Sequence, residues 1–240
     1  MLMEAVPMIK LELAALSLDD LRLAEEGGAD SVELSYNLAA GGLTPSLDLV
    51  REAREHARID LYVMVRPTVR SFVYTNDEIA QIEDSVRWFR QFGVTGIVFG
   101  AQTESGRLDV DLIARIAALA APIPITLHRA IDTCANPVEA LRELTGIIPR
   151  VLTSGPAENA WSGRFGLRAW VQQFGDDMRF VASGGIKLDQ AGEIARISGA
   201  HELHIGGAVR VNGRVDPRLV RQFRHVLDDL SPPSPESADG

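Results

Sequence analysis

A chain of 240 residues is long enough for one sizeable core, and 46% hydrophobic with 24% charged residues is an ordinary globular composition. A net charge of −9 with no basic stripe argues against a nucleic-acid partner. The single cysteine excludes an intrachain disulfide framework, and no apolar run reaches the roughly 18 residues of a membrane span. Residues 1–10 lack a basic stretch followed by a long apolar one, so the cytoplasm is the expected location.

Short apolar runs alternate with helix-period segments from end to end, the pattern of repeated β-α units on a parallel sheet. In chain order, strands are expected at 9–14, 30–35, 61–65, 96–99, 123–128, 150–153, 179–183 and 202–205. The helices that follow them are expected at 18–26, 46–57, 77–92, 110–120, 137–145, 161–174, 188–197 and 217–230. Ser17 stands just before the first helix, and Asn136-Pro137 and Asp216-Pro217 place Pro at a first helical position. Eight such units predict a single (β/α)₈ TIM barrel, a parallel eight-stranded barrel with outer helices, over 1–230. An open doubly wound sheet is the alternative, but no Gly-rich dinucleotide fingerprint follows the first strand. Residues 231–240 are rich in Pro and Ser and read as a disordered tail.

Alternate strand residues face the helices and the others face the barrel interior. Ile9, Leu11 and Leu13 suit the helix layer, which leaves Lys10, Glu12 and Ala14 inward. The same reading places Ser31, Glu33, Ser35, Met64, Arg66, Thr126, His128, Glu202 and His204 inside. A barrel interior is normally aliphatic, because unpaired buried charge is costly. Polar residues on several strands therefore point to a chamber that binds a ligand at the C-terminal barrel mouth. The competing reading is a structural salt-bridge network of Lys10, Glu12, Glu33 and Arg66 in a non-catalytic scaffold.

His128 ends the fifth strand as a general acid/base or a ligand, with Arg129 and Asp132 on the loop beside it. Glu33, His128, Arg66 and Asp132 form the candidate catalytic set. Glu12, Glu33, His128 and His204 would equally make an N₂O₂ site for a divalent metal, although their spacing matches no metal motif. Arg66 reads as a carboxylate or phosphate clamp, or else as the group that neutralises Glu33. Ser183-Gly184-Gly185-Ile186 and Gly206-Gly207-Ala208 end the seventh and eighth strands, where this fold often binds phosphate through exposed backbone N–H groups. The candidate anion site is thus Gly184, Gly185, Gly206 and Gly207, with Arg129, Ser154 and Gly155 on the same rim. The loops at 37–45 and 68–76, the second holding Phe72 and Tyr74, read as parts of the mouth. Trp88, Phe89 and Phe92 are expected in the core, and Cys134 has nothing beside it that marks a nucleophile.

Several motifs occur together in order. They are Gly28-Ala29-Asp30 with Val32-Glu33-Leu34, Gly41-Gly42-Leu43-Thr44-Pro45-Ser46, Arg66-Pro67, and Phe72 with Tyr74. His128-Arg129-Ala130 with Asp132, Cys134-Ala135-Asn136-Pro137, Arg150-Val151-Leu152-Thr153-Ser154-Gly155 and Glu202-Leu203-His204 complete the set. Over roughly residues 10–207 this resembles the CutC-type copper homeostasis protein family. The resemblance implies a cytoplasmic (β/α)₈ barrel, a role in copper homeostasis with copper ion binding, and a homodimer. Members of that family typically carry cysteines where this chain has Ala14-Ala15 and Ser35, and Arg-Gly-Gly-Asp where it has Thr68-Val69-Arg70-Ser71. Cu(I) prefers soft sulfur ligands, so its expected ligands are missing while the polar chamber is retained. An enzyme with lyase- or isomerase-type acid–base chemistry on a small anionic or phosphorylated metabolite is the alternative.

Overall fold

A computed structural model describes residues 8–230, so the expected tail at 231–240 lies outside the described residues. Eight parallel strands close into a barrel in sequence order: β1 (Lys10–Ala15), β2 (Ser31–Leu34), β3 (Asp60–Met64), β4 (Gly96–Phe99), β5 (Ile125–Leu127), β6 (Arg150–Thr153), β7 (Arg179–Ala182) and β8 (Glu202–Ile205). The ring is completed where β1 pairs with β8, with Glu12 beside His204 in register. This closure rules out the open doubly wound sheet. Outside it lie α1 (Leu18–Gly27), α2 (Leu47–His56), α3 (Asn76–Phe92), α4 (Val110–Ala120), α5 (Pro137–Leu144), α6 (Ala160–Phe174), α7 (Leu188–Ser198) and α8 (Pro217–Asp228). A short antiparallel ribbon, β9 (Arg210–Val211) and β10 (Arg214–Val215), precedes α8. No described helix is long and apolar enough to cross a membrane.

Local chemistry sets the helix ends. The Ser17 side chain accepts the N–H of Asp20 at the start of α1, and Thr75 with Glu78 forms a reciprocal capping box on α3. Gly28 stops α1 in the left-handed conformation, φ +85°, where a side chain would be strained. Leu11, Leu13, Val32, Leu34, Leu61 and Val63 lie buried between strands and helices, as alternation requires. Phe89 joins this core, but Trp88 does not: it is 46% exposed and stacks on Phe92 with 6.2 Å between ring centroids. On α3 the residue beside a buried Phe89 lies about 100° around the helix, which turns Trp88 off the core face.

The inner face contains charge at its floor. Arg150 donates to Glu12 Oε2 at 2.8 Å and to Glu202 Oε2 at 2.6 Å, and Arg179 donates to Glu202 Oε1 at 3.1 Å. The Tyr62 ring covers the Arg150 guanidinium at 4.1 Å. Gly96 leaves room for that ring, since a Cβ there would sit 2.5 Å from it. The expected scaffold network is thereby corrected in membership. Glu12 belongs to it, but Lys10 pairs with Asp60 at 3.6 Å, and neither Glu33 nor Arg66 forms an ion pair among the described residues.

Candidate functional site

Above this charged floor, at the C-terminal ends of the strands, opens a cavity of about 520 Å³. Glu33 reaches it from β2, Arg66 from just beyond β3, His128 from the end of β5 and His204 from β8. Met64 and Leu152 supply apolar wall. Both long loops contribute to the mouth, Leu38, Gly41 and Gly42 from the first and Phe72 from the second. Tyr74, by contrast, is tied back by donating its hydroxyl to Gly100 O at 3.3 Å.

Buried polar groups in folded proteins nearly always find partners. Here eight buried side-chain atoms among the described residues have none, and Glu33 Oε2, Arg66 Nε, His128 Nε2 and Ser183 Oγ belong to residues lining this cavity. Their residues are buried, between 1% and 8% exposed, so solvent does not substitute for the missing partners. Four residues of one cavity wall thus each carry a polar atom with no partner among the described residues.

The four groups differ electrically. Burial pushes the Glu33 carboxyl up to about 6, against the opposing pull of the His204 charge. Burial also pushes His128 down to about 3, and the positive charge of Arg66 adds to the effect. The Ala130 N–H donates to His128 Nδ1 at 3.2 Å, which puts the proton of the neutral ring on Nε2. Of the two roles expected for His128, acid/base or ligand, this environment favours a ring that stays neutral and donates from Nε2. Burial would lower His204, but Glu33 and Glu12 overcome it and raise its pKa. Its Nδ1 lies 2.9 Å from Glu12 Oε1. Glu12 would likewise be raised by burial, but Arg150 and His204 hold it near 2.

Arg66 does not neutralise Glu33. It donates to three backbone oxygens, Ala40 at 2.8 Å and Gly42 and Val69 at 3.4 Å each, and stands 4.8 Å from the Phe72 ring. Asp132 is off the cavity wall. Its oxygens accept from Arg129 Nε at 2.7 Å, from Ser154 Oγ at 2.8 Å and from the Thr153 hydroxyl. Asp132 thus fixes Arg129 and the loop after β6, and the structure gives it no reacting partner. Ser154 and Gly155 are likewise absent from the cavity lining. Ser154 is spent on Asp132 and Arg129, and Gly155 packs so close to α6 that a Cβ would meet Gly163 O at 2.6 Å. Arg129, Gly184, Gly185, Gly206 and Gly207 do line the cavity. Sequence reasoning named Ser183 and Arg150 only as members of quoted motifs, with no site role, and did not name Lys187. Lys187 directly follows the quoted Gly-Gly motif, so a search one residue further would have found it.

The four-residue metal site is corrected to three at most. Ligand atoms of Glu12, Glu33 and His204 lie within 4.8 Å of one another, and His128 stands apart from them. Both Glu12 oxygens are already taken, one by the buried Arg150 guanidinium, whose charge opposes a cation there. Met64 is the one sulfur residue on the wall, and Cys134 lies elsewhere, half-buried against the core. This donor set does not fit Cu(I), which calls for two or more soft ligands.

Such geometry defines a (β/α)₈ barrel with a polar cavity where this architecture places its ligand sites. The chain belongs to the CutC family, whose model matches residues 9–209. It is 34% identical over 196 residues to a family protein CutC of Histophilus somni (strain 2336), covering 81% of each chain. It superposes with a TM-score of 0.79 at 25% identity on the crystal structure of a protein named CutC, for copper homeostasis, from Streptococcus agalactiae, over 85% of this chain and 100% of that one. N-(5'-phosphoribosyl)anthranilate isomerase from Pyrococcus furiosus shares the fold, with a TM-score of 0.61 at 15% identity over 92% and 99% of the two chains.

Proposed function

We propose that the cavity is the active site of an enzyme performing lyase- or isomerase-type acid–base chemistry on a small anionic metabolite. The observation that carries this is that four residues each holding an unpartnered buried polar atom, Glu33, Arg66, His128 and Ser183, line one cavity. Glu33 is the proton-transfer group, because a carboxyl held near 6 can both take and return a proton at neutral pH. The neutral His128 Nε2–H donates to a substrate oxygen on which negative charge develops. The Gly184-Gly185 and Gly206-Gly207 segments present close backbone, and Arg129 and Lys187 add positive charge for an anionic tail.

The copper role in the names of its relatives is a second reading, favoured by the proximity of Glu12, Glu33 and His204. It is weaker because the wall offers one thioether and no thiolate. Thermal melts with inorganic phosphate and sugar phosphates test the first reading. A ligand at ten times its Kd stabilises by about 1.4 kcal/mol, or roughly 3–5 °C for a chain this long. No shift with any phosphate compound, together with Cu(I) retained against a strong chelator, reverses the ranking.

A further inference from the structure

The cavity has two separate donor poles, and their donors differ in kind and number. β3 and β7 are four strands apart in a closed ring of eight, so the groups that follow them face each other across the mouth. Strands about 4.8 Å apart and tilted by roughly 36° give a ring about 15 Å across between backbones. The Arg66 side chain reaches in from the β3 side, and the Ser183–Lys187 turn closes the β7 side.

At the β3 pole, Arg66 is 8% exposed and meets no carboxylate among the described residues, and its Nε has no partner. The Phe72 ring stands 4.8 Å from the guanidinium and 4.8 Å from the His128 ring, so Arg66 and His128 both pack against one aromatic side chain. The pole therefore offers one positive charge and a neutral N–H donor. That matches a single planar, singly charged acceptor, and a dianion there would be half compensated.

The β7 pole is built differently. Gly184 and Gly185 adopt φ of +99° and +69° and line the cavity, just before the start of α7, which has no side-chain cap. Ser183 Oγ, 1% exposed and without a partner, lines the same cavity. Lys187 makes no ion pair among the described residues, and Arg129 approaches the same turn, its guanidinium 3.2 Å from where a Gly184 Cβ would be. Backbone N–H donors, a hydroxyl and the unpaired Lys187, with Arg129 beside them already held by Asp132 at 2.7 Å, give more donors than Arg66 alone offers and suit the oxygens of a phosphate.

From this we infer that the substrate is a phosphorylated carboxylic acid. Its carboxylate lies on Arg66 and His128, its phosphate on the Ser183–Lys187 turn, and a short carbon chain passes Glu33 between them. The inference rests on the anion-site reading above and narrows it to ligands with two acidic ends.

Two matched pairs of probes test it by calorimetry on the full chain: 3-phosphoglycerate against glycerol 3-phosphate, and 6-phosphogluconate against sorbitol 6-phosphate. In at least one pair the acid binds about tenfold or more tighter than its carboxylate-free partner. Arg66→Gln removes that ratio and leaves the carboxylate-free probe unchanged. Because the readout is a ratio within one protein sample, partial loss of folded Arg66→Gln protein does not mimic it. Lys187→Ala, at an exposed position, weakens both members of a pair equally. Phosphate compounds that bind with no preference for the acid in either pair overturn the two-ended ligand but leave the anion site standing. No binding by any of the four probes overturns both.

Discussion

Replacing Glu33 with Gln separates a catalytic carboxyl from a structural one without knowledge of the substrate. The folded protein holds this carboxyl near 6, above its ordinary 4.5, because burial disfavours the charged form. A raised carboxyl pKa means the folded state binds its proton more tightly than the unfolded chain does. The corresponding stability is present in full below pH 4.5 and is lost as the pH rises through 6. Holding the carboxyl near 6 rather than 4.5 costs about 2 kcal/mol above pH 7. The His204 charge, which Glu33 helps to maintain, offsets part of it. Glu33→Gln should therefore stabilise the protein by about 1–2 kcal/mol at pH 8 and leave it unchanged near pH 4.5. Urea denaturation across that range measures the difference. A variant less stable than the parent at every pH would show Glu33 to be a structural ion-pair partner, and the acid–base reading of the site would fall with it.

Other changes probe the surroundings of that carboxyl. Arg150→Met strands Glu12 and Glu202, which it meets at 2.8 and 2.6 Å, so urea denaturation should show a loss of about 3–5 kcal/mol. A loss below about 1 kcal/mol would mean the floor network is not holding the barrel. For His128, held near 3, the sign is that of a buried neutral histidine: the stability it supports is intact above 6.5 and drains away as the pH falls towards 3. Its ring resonances in an NMR titration should stay fixed from pH 8 to about 5, and a midpoint near 6.5 would restore it as a candidate general base.

Elements were more legible in the sequence than partners. Apolar alternation gave β4, β6, β8 and α4 at their observed bounds, because a buried parallel strand and an amphipathic helix each leave a local periodic trace. Ile123 and His128, expected at the ends of the fifth strand, fall outside Ile125–Leu127, where a cis Ala121-Pro122 bond and a helical turn at Arg129–Thr133 flank the strand. Inward alternation found Glu12, Glu33, Arg66, His128 and His204, all of which the barrel turns inward. What alternation could not supply was pairing. Arg150 meets Glu12 across 138 residues of chain, and nothing local to either one signals the other. The same limit misassigned Asp132 and Ser154. Their motif is conspicuous, yet only the three-dimensional turn after β6 shows that they bond to each other and to Arg129 rather than face the void.

The seam between β1 and β8 bears on how the protein is made. Glu12 and His204 are 192 residues apart in sequence and touch only across that seam, and α1 packs against α8 so closely that a Cβ on Gly27 would lie 2.4 Å from Val220. A nascent chain emerging from the ribosome thus holds Glu33 and Arg66 early but no pocket. The chamber is assembled only when the eighth strand has been synthesised and has slotted in beside the first.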